Sequence, residues 1–137
     1  MKQSLIAILG CLVVATSACG GGGAKNLDTS RTEKSSGGTY EVTYAPSPDP
    51  IPVNQPFAID VTIKDGSGAQ LITDASIAVA ATMPDMNMGM PSPPTIATNG
   101  SGSFVATGMY FSMSGHWVLD IAVTKASATE HAKFNIV

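Results

Sequence analysis

The chain has 137 residues, room for one ordinary domain. Charged residues make up 12% of it and the formal net charge is −3, so no basic patch is available for nucleic acid. The two cysteines, Cys11 and Cys19, both lie near the N-terminus, which excludes disulfide stapling and thiolate metal sites everywhere else.

Lys2 precedes the apolar run LIAILGCLVVA (residues 5–15), which is short for a bilayer span. The small residues Thr16, Ser17 and Ala18 then lead into Cys19. This resembles a bacterial lipoprotein signal, in which Cys19 is lipidated and becomes the first mature residue; Thr16 stands where such signals usually carry Leu. An ordinary secretory signal cut near Ala18 is the other reading, and both predict export. Cleavage would remove Lys2 alone among the charged residues, leaving six basic against ten acidic, a net charge of −4. The lipid would attach the protein to a membrane at the periplasmic or extracytoplasmic face of the cell envelope. The domain itself has no amphipathic basic face for binding one. Residues 1–18 are thus expected to be signal and 19–38, rich in Gly and Ser, a flexible tether. Residues 39–137 are expected to form the domain.

That domain alternates with period two. Tyr40, Val42 and Tyr44 share one face of a first strand, and Phe57, Ile59, Val61 and Ile63 one face of a second. DGSG at 65–68 marks a turn. Ile77, Val79, Ala81 and Met83 predict a third strand and Phe104–Met113 a fourth. Trp117, Leu119, Ile121 and Val123 predict the next, with Phe134 and Ile136 on the last. Prolines clustered at 46–56 and 84–94 block long helices. About seven short strands in about 100 residues predict an all-β, immunoglobulin-like antiparallel β-sandwich.

The segment MPDMNMGM, 83–90, puts four thioethers into eight residues of a loop. Pro84 and Gly89 exclude a helix, and an extended backbone would point Met86, Met88 and Met90 the same way. Thioethers are soft, uncharged donors that suit Cu(I) and need no deprotonation, an advantage where free thiols are oxidised. Met113 and His116 in YFSMSGHW (110–117) are two further candidate ligands, with Gly115 allowing a tight bend. Trp117 begins the next apolar face, so His116 is expected to point away from the core. Packing is the alternative role: Met83 lies on an apolar face, Met109 sits mid-strand, and methionine fills irregular gaps. His131 is expected to be solvated. A strand of about seven residues spans about 23 Å. Met83–Met90 and Met113–His116 therefore meet only if residues 84–101 cross the sandwich; a simple hairpin would leave them at opposite ends.

From about Val53 to Val123 these features together resemble the YtkA-like family of small exported β-sandwiches, related in style to FixH and CopC-like copper-associated domains. The resemblance rests on FAIDVTI, DGSGAQLITDASI, the MPDMNMGM run, the GSF strand start and FSMSGHW. The family loop typically reads Met-Pro-x-Met-x-His-Gly-Met. Met83, Pro84, Met86, Gly89 and Met90 match it, while Met88 replaces the histidine. That replacement removes a nitrogen ligand suited to Cu(II) and favours Cu(I).

No paired carboxylates, nucleophile motif or phosphate-binding glycine loop is present in the sequence, and the GGGG run lies in the expected tether. Catalysis is not expected. Three readings remain: a lipid-anchored module that holds or hands on Cu(I), passing it to a copper-handling envelope protein; an interaction domain whose Met loop is an adaptable apolar surface; or a spacer whose Met loop caps its own core.

Overall fold

A computed structural model describes residues 27–137; the expected signal, Cys19 and the rest of the tether's first part, up to residue 26, lie outside the described residues. Nine strands follow in order: β1 (Thr32–Lys34), β2 (Tyr40–Ser47), β3 (Pro56–Asp65), β4 (Ser76–Met83), β5 (Met88–Gly89), β6 (Thr95–Thr98), β7 (Ser103–Tyr110), β8 (Trp117–Lys125) and β9 (Ala128–Ile136). They form two antiparallel sheets, ordered β1-β2-β3-β7-β6 and β5-β4-β8-β9. This is the expected sandwich.

The strict alternation of buried and outward residues is what stacks the two sheets. Val42, Ile59, Val61, Ile63, Leu119, Ile121 and Val123 are wholly buried between them, together with Trp117 and Phe134. Burying each such side chain contributes about 1.5–3 kcal/mol, and a one-residue slip in any strand would turn its whole apolar set to water. Three aromatic contacts organise one end: Tyr44 meets Phe134 edge-on at 4.9 Å, Phe57 meets Phe111 likewise, and Phe111 stacks on Trp117 at 4.3 Å.

Three strands were not anticipated, each for a local reason. β1 lies inside the stretch expected to be tether, its polar residues TEK held by pairing with Glu41–Thr43 of β2 rather than by burial. Glu130 secures this hairpin to β9: Oε1 accepts from Ser35 Oγ at 2.9 Å and from the Gly37 amide at 2.8 Å. The Ser36 amide donates to the His131 carbonyl alongside. β5 and β6 lie in the proline-rich loop and are too short to show a period. His131, expected to be solvated, is half exposed but engaged, with Nδ1 2.9 Å from Asp120 Oδ1.

The route of the chain after β4 decides what meets what. β7 pairs with β3 and β6, in the opposite sheet from β4, and β4 instead runs beside β8, with Thr82 opposite Val118. Residues 84–101 therefore cross from one sheet to the other, and the end of β4 lies beside the start of β8.

Candidate functional site

At this end of the sandwich, the sulfur-rich segment begins at the last residue of β4. Met83 is 3% exposed and sits in the core. Pro84–Met86 then form one 3-10 turn, closed by Asn87 in the left-handed region at φ 50°. Asparagine tolerates that conformation better than most residues. The turn folds β5 back onto β4, so Met88 lies directly opposite Met83 and Gly89 opposite Thr82. Opposed residues in an antiparallel pair put their side chains on one face, with Cα atoms about 5 Å apart. The Met90 amide continues the ladder, donating to the Ala81 carbonyl at 3.3 Å, and the Met90 side chain packs on the core.

The expectation that Met86, Met88 and Met90 all point one way therefore holds only in part. Met88 and Met90 keep the two-residue alternation of an extended chain. Met86 does not, because it sits in the 3-10 turn, where the period is nearer three. It is the most exposed thioether of the group at 53%, with Met88 at 40%.

The 111–116 turn comes to the same place. A Cβ built on Gly115 would lie 2.9 Å from Met83 Cε and 3.9 Å from its sulfur. The turn is pinned from below, since Trp117 Nε1 donates to the Met113 carbonyl at 3.0 Å. The crossing of residues 84–101 has thus brought the two sulfur-bearing segments together at Met83 and Gly115.

Two candidates are placed differently. Met113, 37% exposed, lines a groove of about 410 Å³ together with Tyr44, Ile51, Val53, Phe111 and Trp117, and Met83, Met86, Met88 and Met90 do not line it. The Arg31–Asp49 pair also lines this groove, bidentate at 2.7 and 2.8 Å. The Arg31 hydrogen bond holds the Asp49 carboxyl below its usual range. His116 points away from the core, as expected, with Nε2 3.0 Å from Asn135 Oδ1 on β9. β9 and β5 are opposite edges of one sheet, so His116 reaches away from the Met88 hairpin. Nothing in the local sequence signals the Asn135 contact, which is made across two strands.

Met109 is wholly buried on β7, the packing role that its mid-strand position suggests. Among the described residues no three or more His, Cys, Asp or Glu side chains are gathered as a metal would require. The donors gathered at this end are mainly thioethers, which suit a soft monovalent ion, with Asp85 of the 3-10 turn as the segment's one carboxylate.

Comparison with known proteins adds the family and the fold. No curated protein matches the chain. A DUF4426 family protein from Pseudomonas aeruginosa PAO1, known from its crystal structure, is similar in fold, with a TM-score of 0.51 and 16% identity over 78% of this chain and 94% of that one. The YtkA-like family pattern matches residues 32–122, from β1 into β8 and so across the whole Met83–Met90 segment. The chain belongs to the YtkA-like family.

Proposed function

We propose that this protein is a binding module of the cell envelope, anchored by lipid on Cys19, that holds Cu(I) through the thioethers of its β4–β5 hairpin and hands it on. The observation that carries the reading is the Met83–Met88 cross-strand pair, flanked by exposed Met86 and by Met90. A folded hairpin keeps these sulfurs within a few residues of one another in space, whereas a mobile loop would have to be ordered at each binding event. Met83 supplies a rigid, buried donor at the base, and Met86 and Met88 supply accessible ones above it. Such a half-open arrangement suits exchange with a copper-handling partner better than storage. Met113, which lines the separate groove, and His116, occupied by Asn135, are left out of the proposed donor set.

The test is competition for Cu(I) against a chromophoric chelator under reducing conditions, comparing the parent chain with the combined Met86→Leu, Met88→Leu, Met90→Leu variant. Leucine keeps volume and apolarity while deleting the sulfur. The expected result is at least about a tenfold loss of affinity, equal to about 1.4 kcal/mol, with an unchanged unfolding midpoint. Met109→Leu, in the core, should leave affinity where it was. Equal affinity in the triple variant rejects the copper reading. An envelope protein captured without copper, and lost on placing charges at 86 and 88, would instead establish the hairpin as an interaction surface.

A further inference from the structure

The hairpin covers only the end of β4. β5 pairs with Thr82 and Met83 and then the chain leaves for the other sheet, so the earlier residues of β4 have a strand on one side, β8, and none on the other. The direction of the free groups follows from the ladder. The Ala81 carbonyl points toward β5, because it accepts from the Met90 amide. With a two-residue period, the amides and carbonyls of Val79 and Ile77 point the same way. No backbone group among the described residues meets them.

Edges of this kind are normally blunted by charge, proline or extreme shortness. The other long edge is blunted: β9 carries Glu130, His131 and Lys133, and the 35–37 turn already bonds to it. β1 has three residues, two of them charged, and β6 has four. The open part of β4 reads SIAVA, with no charge and no proline. The lack of charge extends well beyond it. Between Ala75 and Leu119, Asp85 is the one residue of the Asp, Glu, Lys or Arg types. β6, which approaches β4 from the facing sheet, reads TIAT. One side of this acidic protein therefore carries little charge across both sheets, with Asp85 in the hairpin and Asp74, paired with Lys125, at its two ends.

We propose that this side pairs with a second copy of the chain, β4 against β4 in antiparallel fashion, about a two-fold axis at Ala78. A copy is the occupant the charges favour: two acidic molecules can approach through the one side where the paired strand itself, SIAVA, presents no carboxylate and Asp74 is already paired with Lys125. Antiparallel pairing is also self-complementary about a two-fold axis. Ile77 then exchanges both backbone bonds with the copy's Val79, and Val79 with the copy's Ile77. The Ala78 residues face one another as a non-hydrogen-bonded pair, Cα atoms about 4.5 Å apart. The two four-stranded sheets become one.

A cysteine at the axis reads this directly, because that Cα separation is within the range a disulfide spans. In a glutathione redox buffer, full-length Ala78→Cys should form a covalent dimer at least about tenfold faster than Thr129→Cys, an exposed control on β9, or than the unsubstituted chain with its own Cys11 and Cys19. Exchange of the Ile77 and Val79 amides should slow as concentration rises from about 10 µM to about 1 mM, and Ala78→Lys should abolish that dependence. Cross-linking no faster than in the Thr129→Cys control, or a monomeric mass at about 1 mM, overturns the proposal. Protection of these amides only by an added uncharged peptide overturns it as well, by assigning the edge to a different occupant. Circular dichroism of each variant confirms that the sandwich is intact.

Discussion

The terminal methyl of Met83 lies directly under Gly115, so near that a Cβ on the glycine would come within 2.9 Å of it. Gly115 also adopts φ +137°, a conformation that residues with a side chain rarely take. Gly115→Ala should therefore act twice, straining the 111–116 turn and pushing the Met83 thioether aside. A loss of about 1–3 kcal/mol in denaturant unfolding is expected. The Met83 methyl resonance should shift while that of Met109 stays. An unchanged Met83 signal would show that the turn does not position this sulfur.

His116 separates a ligand role from a packing role. Its Nε2 is 3.0 Å from Asn135 Oδ1, on the β9 side of the sheet. His116→Ala is expected to cost about 1 kcal/mol of stability through the lost hydrogen bond. Cu(I) affinity should change by less than about twofold. A tenfold loss of affinity would return the histidine to the donor set.

Trp117 holds the turn by a single polar contact, Nε1 to the Met113 carbonyl, while its ring stacks on Phe111 with 6° between planes. Trp117→Phe keeps an aromatic ring in the stack but deletes the donor and part of the core volume. The expected loss is about 1–3 kcal/mol in urea unfolding, with faster amide exchange over residues 112–116. If exchange in the turn is unaltered, the indole bond is not what orders it.

Acid should release the β1 hairpin first. Hydrogen bonds from the Thr39 side chain, the Ser35 hydroxyl and the Thr39 and Gly37 amides favour the charged form of Glu130 and hold its carboxyl below the ordinary 4.5. A carboxylate with a depressed folded value contributes its stabilisation in full above the unfolded value and loses it as pH falls through the folded one. The attachment of residues 35–39 to β9 should thus be intact above about pH 5 and weaken below 4.5. Amide exchange at Gly37 and Ser36 against pH would show it, and Glu130→Gln should flatten the profile. A profile identical in the variant would place the acid-sensitive group elsewhere.

Much of the site is legible along the chain, since four of its sulfurs fall within eight residues and Pro84 with Gly89 excludes a helix. The direction of each sulfur is not. Period-two reasoning fails at Met86 because a 3-10 turn, closed by left-handed Asn87, intervenes between two extended pieces. β1 was unreadable for a related reason: three polar residues held by backbone pairing and by Glu130, 95 residues from Ser35, leave no apolar signature of their own.

Alternating apolar residues by themselves determined the six long strands from Tyr40 onward, β2, β3, β4, β7, β8 and β9, and the sandwich they make. Side-chain period and burial are properties of each strand separately, and the only way to dry so many half-apolar strands is to stack two sheets. Tertiary structure alone decided which strands became neighbours. Residues 84–101 cross to the opposite sheet, so β8 rather than β7 borders β4, Gly115 comes to rest on Met83, and Ile77 and Val79 are left at an open edge. Pairing partners depend on how the loops span the two sheets and on what packs between them, and no window of local sequence contains that information.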